Sequence, residues 1–194
     1  MGTKGEKVMA DHGTAAKLIE VATAELGTIE GPKDNETKYG AHTKSNFQPW
    51  CGSFVMWCAS EAGVKVPNTV YTPGGAAAFK KAGAWIDGDI ADPEPGDIAY
   101  FDFPSDGDDR ISHVGIVIKD NGDGTVWCIE GNTSPDKKGS QRNGGQVSKK
   151  LRGFKKNKPG AMISIVGFGR PKFKNSSTAA APALEKAVCP TCGK

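Results

Sequence analysis

Between residues 14 and 27 the apolar positions recur at helical spacing: Leu18, Ile19, Ala22 and Leu26 share one side, Thr14 can cap the start and Gly27 can stop the end. A long polar loop follows over 28–48. Pro49 then opens a second helix that runs through Phe54, Val55, Met56 and Cys58 to Gly63, because proline suits a first helical turn. Thr72-Pro73 starts a shorter third helix that ends near Gly83. After Pro95-Gly96-Asp97, which reads as a turn, the period changes. Ile98-Ala99-Tyr100-Phe101 and Ser112 to Lys119 are runs of β-favouring residues. Asn121-Gly122-Asp123-Gly124 is a hairpin signal, with the return strand over Thr125 to Glu130. A last strand is expected at Ile163-Ser164-Ile165-Val166-Gly167-Phe168. Helices first and an antiparallel sheet afterwards predict an α+β fold, with the N-terminal helices packed on the sheet.

One domain over 13–173 accounts for these elements. Residues 1–12 are polar and expected to be flexible. Beyond 173, Asn175-Ser176-Ser177-Thr178 and an alanine- and proline-rich stretch read as a flexible tail ending in Cys189-Pro190-Thr191-Cys192. That CxxC is half of a zinc ribbon, but zinc takes four ligands and the tail supplies two, so a flexible end is expected rather than a metal site.

Composition changes this picture little. The chain has 194 residues, 37% apolar and 24% charged, as an ordinary globular domain does. A net charge of +3 is too small to argue for nucleic acid. No apolar run approaches the length of a membrane span, and the start lacks the hydrophobic core of a secretory signal. A chain made in the cytoplasm is therefore expected, and one that reaches any substrate outside only when the membrane has been opened. Five cysteines, an odd and scattered set, fit free thiols better than a disulfide framework. A monomer without cofactor is expected.

The chemistry centres on Cys51. It stands at the start of the second helix, after Pro49-Trp50, where unpaired N–H groups and the helix dipole favour a thiolate and could hold a developing oxyanion. The bland alternative is a small buried hydrophobe, which is the reading preferred for mid-helix Cys58. A thiolate needs a base, and there are three histidines: His12, His42 and His113. If Asn121–Gly124 makes a symmetric turn, facing residue numbers total 245, so His113 faces Asn132 and lies diagonal to Glu130 on one sheet face. Such a polar cluster supplies a base and a group to orient it, which nucleophilic catalysis requires.

Four stretches in this order, Pro49-Trp50-Cys51-Gly52-Ser53-Phe54-Val55, Pro95-Gly96-Asp97-Ile98, Ser112-His113-Val114-Gly115-Ile116-Val117 and Glu130-Gly131-Asn132-Thr133, resemble the CHAP family. These are cysteine- and histidine-dependent amidohydrolases and peptidases of phage endolysins and bacterial wall hydrolases. The resemblance covers about 30–170. It implies a papain-like fold, Cys51 as nucleophile, His113 as general base, and Glu130 or Asn132 orienting the imidazole; Glu130 is favoured because a carboxylate also stabilises the imidazolium. It also implies that Tyr39 lines the site, with Trp50 beside the nucleophile where many relatives carry glutamine; here Gln48 lies three positions back. Some relatives bind calcium through acids just before the cysteine, but residues 42–48 contain none, so no metal is carried over. The acids Asp102, Asp106, Asp108 and Asp109 depart from EF-hand spacing and read as a solvated loop. The basic run Lys149, Lys150, Arg152, Lys155, Lys156 and Lys158 is read likewise, with docking on an anionic wall polymer as the alternative.

The favoured function is hydrolysis of an amide in bacterial peptidoglycan, in an endolysin-type setting, by an N-acetylmuramoyl-L-alanine amidase or a stem or bridge endopeptidase. Substrate choice is expected in the loops 28–48 and 134–160. A non-catalytic wall-binding or virion structural domain of the same fold is the rival, and a host-directed papain-like protease or transglutaminase a third reading. The set Cys51, His113, Glu130 and Asn132 weighs against the binding module, which needs no such group.

Overall fold

The computed structural model describes residues 13–103, 110–136, 139–154 and 164–174. Four helices come first: α1 (Ala15–Ala24), α2 (Lys38–His42), α3 (Cys51–Glu61) and α4 (Thr72–Lys81). Six strands follow: β1 (Trp85–Asp87), β2 (Ile98–Phe101), β3 (His113–Asp120), β4 (Thr125–Thr133), β5 (Gln146–Gly153) and β6 (Ile165–Gly169). They form one antiparallel sheet in the order β1-β6-β2-β3-β4-β5, and α3 packs on β3 and β4. The α+β reading holds.

Local chemistry explains most boundaries. Thr14 caps α1 by accepting a hydrogen bond from the Lys17 N–H at 3.1 Å, and Thr37 caps α2 through the Gly40 N–H at 2.9 Å. Along β2 the buried residues alternate between faces: Ile98 and Tyr100 join the helices' core, whereas Ala99 and Phe101 join a second core on the other face. The first core gathers Leu18, Phe54, Val55, Cys58, Val114, Ile116 and Ile129; the second gathers Phe103, Val117, Val126, Cys128, Phe154 and Phe168.

The Pro95-Gly96-Asp97 turn is a fastening for the sheet. The Gly96 N–H donates to Val117 O and the Val117 N–H to Asp97 O, each at 2.8 Å. The buried Asp97 carboxylate accepts Arg170 Nε at 2.9 Å and Nη2 at 2.8 Å, a two-point clasp between the start of β2 and the end of β6.

Two expectations need correction. Residues 146–153 form the strand β5, where a basic loop was expected. Its inward positions are the polar Ser148, Lys150 and Arg152, and exposed Leu151 points outward, so the usual inside–outside contrast is reversed. The hairpin also differs. Ile116 faces Ile129 and Val117 faces Cys128 as expected, but Lys119 faces Trp127 and Asp120 faces Val126, one residue out. The connection is one residue longer than a symmetric turn, and a bulge at Ile118 absorbs the excess. The two departures cancel before the strand reaches His113. No helix among the described residues is long and apolar enough to cross a membrane. Residues 1–12 and 175–194, with Cys189 and Cys192, lie outside the described residues, as do Asp106, Asp108, Asp109, Lys155, Lys156 and Lys158.

Candidate active site

Cys51 is the first residue of α3. The helix starts with the Phe54 N–H donating to Trp50 O at 2.8 Å, and no side chain caps it. The amides of the first turn thus lie ahead of the helical ladder, at the positive end of the dipole and around Sγ. Thr43 and Ser53 share a hydroxyl hydrogen bond of 2.8 Å that ties this turn to the end of α2.

The helix start rests on rings. Trp50 stacks on Tyr39 with centroids 5.2 Å apart, and Phe54 and Trp57 meet the Tyr39 ring edge-on. Trp50 Nε1 donates to Glu30 Oε2 at 3.0 Å, and the Tyr39 hydroxyl donates to Glu25. Burial, with Glu25 beside it, pushes the Tyr39 hydroxyl's pKa up, so it stays protonated. Both rings are fully buried. Tyr39 and Trp50 therefore brace the nucleophile from below and do not line the groove, contrary to what the resemblance implied.

His113 opens β3 with its side chain on the second-core face, buried against Phe101 and Phe103 at 5.4 and 5.6 Å. Its Nε2 lies 3.1 Å from Glu130 Oε2. Nδ1 is buried without an ordinary partner, which leaves it as the nitrogen for the Cys51 sulfur. Burial disfavours the imidazolium, but Cys51 and then Glu130 outweigh it and push the pKa up to about 9. Glu130 is buried as well. Burial opposes its charge, yet Arg152 and then His113 prevail and hold the carboxyl at about 2. Gly115 makes room for it: a Cβ there would sit 2.7 Å from Glu130 Cγ.

A carboxylate held below its ordinary 4.5 adds stability that is present above that value and lost as pH falls toward about 2. The stability gap between wild type and Glu130→Gln is therefore expected to shrink by on the order of 3 kcal/mol on acidification across that window. Urea titrations of both proteins at stepped pH measure it; parallel curves would show that Glu130 is not held this way.

Asn132 does not reach His113. Its backbone adopts a left-handed conformation, φ 57°, beside a register shift in β4, and this swings the side chain out of strand alternation. Its Nδ2 donates to Asn35 Oδ1 at 3.1 Å and Asn143 Oδ1 at 3.0 Å, and its Oδ1 accepts the Gly145 N–H at 3.1 Å. Asn132 thus ties β4 to two loops beside the site, the α1–α2 and β4–β5 connections, and among the described residues Glu130 is the carboxylate that holds the imidazole. His42 is exposed at the end of α2, and His12 lies outside the described residues.

Cys51 opens into a cleft of about 460 Å³ lined by Gln48, Tyr71, Arg110, Ser112, Arg142 and Asn143, among others. Sequence reasoning missed Arg152, which bonds both oxygens of Glu130. The period-2 spacing of Ser148, Lys150 and Arg152 was its only signal.

A thiol on an open helix end, an imidazole beside it and a buried carboxylate behind are the parts that a cysteine-nucleophile hydrolase uses, here on an α+β scaffold. Residues 43–132 match the model of the CHAP domain. The match takes in Cys51, His113, Glu130 and Asn132 and ends before Arg152. A CHAP domain implies a cysteine amidase or peptidase that acts on peptidoglycan. No curated protein matches the chain.

Proposed function

We propose that this protein hydrolyses an amide of bacterial peptidoglycan with Cys51 as nucleophile and His113 as acid and base. The observation that carries the reading is the line from Cys51 through His113 to Glu130 Oε2, 3.1 Å behind the ring, at the wall of an open cleft. His113 takes the Sγ proton, and the sulfur attacks the carbonyl carbon. First-turn amides of α3, with Gln48 in the same cleft, serve the oxyanion. The imidazolium then protonates the leaving amine and a thioester remains. Water, deprotonated by the same ring, attacks the thioester, releases the carboxylate product and restores the thiol.

Arg110 and Arg142 line the cleft and suit a substrate strand that carries negative charge, as wall peptide stems do through their free carboxyl groups. The setting we propose is lytic and endolysin-type, with the enzyme meeting the wall once the membrane has been opened; the run of four motifs supports it. Turbidity loss of a panel of purified walls, with mass spectrometry of the released fragments, tests the reading. Clearing with new amine termini is expected, and those termini distinguish the sugar–peptide amide from one within the stem or bridge. A folded protein that clears no wall would point instead to a binding module.

A further inference from the structure

Arg152 lies outside the matched family span, on an edge strand, and in the sequence it is only one member of a basic run. Yet its guanidinium is buried and occupied on three sides. Nε donates to Glu130 Oε1 at 2.7 Å, Nη2 to Glu130 Oε2 at 2.6 Å, and Nη2 also to Gln141 Oε1 at 3.2 Å. Its plane lies over Phe101 and Phe103, at 5.6 and 5.1 Å, the same stacked pair that packs on His113. Arg152 and His113 thus share one carboxylate oxygen and one aromatic shelf.

We propose that Arg152 is a positioning residue of the catalytic machinery, fixing the orientation and the charge of Glu130 and through it the basicity of His113. A fully buried carboxylate with only an imidazole for company can settle its charge by taking the imidazole's proton, which leaves two neutral groups and no base of raised strength. The guanidinium removes that outcome, because it cannot give up a proton and its fork matches both carboxylate oxygens. Among the described residues the other titratable groups facing this cluster are Cys51 from α3 and Cys128 from β4. Burial, with Glu130 beside it, pushes the Cys128 thiol up, so it stays neutral. Lys150, next inward on β5, spends its ammonium on Ser134 O at 2.7 Å and Asp136 O at 3.2 Å. Arg152 is therefore the fixed cation on Glu130.

This inference rests on the cysteine–histidine reading, and its first test needs no substrate. The rate of alkylation of Cys51 by iodoacetamide, followed on its own peptide by mass spectrometry across pH 4–10, reports the thiol and the imidazole directly. Wild type is expected to show an alkaline inflection near the His113 value of about 9. In Arg152→Gln that inflection falls by about one pH unit or more, and kcat drops about ten-fold or more at little-changed KM, while Arg152→Lys recovers most of the shift. A folded Arg152→Gln with the wild-type profile overturns the proposal and leaves Arg152 a structural tie between β4 and β5. Should Arg152→Gln fail to fold, Arg152→Met takes its place: a downward shift of about one pH unit or more supports the proposal, and a wild-type profile overturns it. Walls left intact by a wild type with the expected alkylation profile would sink the substrate reading and leave this inference standing.

Discussion

Cys51→Ser is expected to lower hydrolysis by about four orders of magnitude while leaving stability within about 1 kcal/mol of wild type. The replacement is nearly isosteric, and the site is only 3% exposed, so the packing around the start of α3 has little reason to move. What changes is the acid the base must deprotonate. A serine hydroxyl is far weaker than a thiol, and the scaffold is arranged for a sulfur anion beside an imidazolium. His113 then has no thiolate to pair with, and the Glu130–Arg152 pair behind it stabilises a charge that no longer forms. Parallel assays of wall clearing and of thermal unfolding separate the two effects. Retained clearing in a folded Cys51→Ser protein would remove the cysteine from the mechanism, and with it the proposed function.

The parts of this protein that were legible in the sequence share a cause. Each helix with a start signal, such as the Thr14 cap at α1 or Pro73 in the first turn of α4, announces itself through local chemistry that tertiary packing does not overrule. The place of Cys51 at a helix start was legible for the same reason, since the proline before it marks where α3 begins. The orienting carboxylate came from the register, and there the reasoning succeeded through two compensating errors: a turn one residue too long and a bulge at Ile118. Neither leaves a mark in a binary pattern. Asn132 was misplaced because a left-handed backbone at a non-glycine residue breaks alternation without warning. β5 and Arg152 were hidden by their function. A strand whose buried face carries charge to hold Glu130 looks, residue by residue, like a solvated basic loop. Tyr39 and Trp50 were placed near the site correctly, but on its under-side, because sequence proximity to a nucleophile cannot say which face a ring takes.

Gly52 is where the fold and the site depend on the same missing atom. A Cβ built there would lie 2.0 Å from Thr69 O, 2.6 Å from Thr69 C and 2.9 Å from Val70 Cα, all of it backbone that cannot rotate aside. The contact is also bonded, since Thr69 Oγ1 donates to Gly52 O at 3.1 Å. The neighbouring Val70, Tyr71 and Thr72 form one wall of the Cys51 cleft. From the opposite side Gly131, next to Glu130, admits α3 equally closely: a Cβ there would meet Phe54 Cβ at 2.6 Å. The first turn of α3 is thus gripped between the 69–72 loop and β4, and the position of Sγ relative to His113 follows from that grip. Gly52→Ala is expected to cost about 3 kcal/mol or more, and the fraction that folds is expected to be at least about 100-fold slower, because sub-ångström displacement of the nucleophile spoils its line to the base. Gly122→Ala in the hairpin turn is the control. Its φ of 71° is strained for alanine, but no atom lies within 4 Å of the added carbon, so a loss of about 1 kcal/mol without change in kcat is expected. Urea unfolding together with active-site titration by iodoacetamide measures both consequences. If Gly52→Ala unfolds and turns over like wild type, the loop yields to α3, and the nucleophile's position must be set by the aromatic base of Tyr39, Trp50 and Phe54 instead.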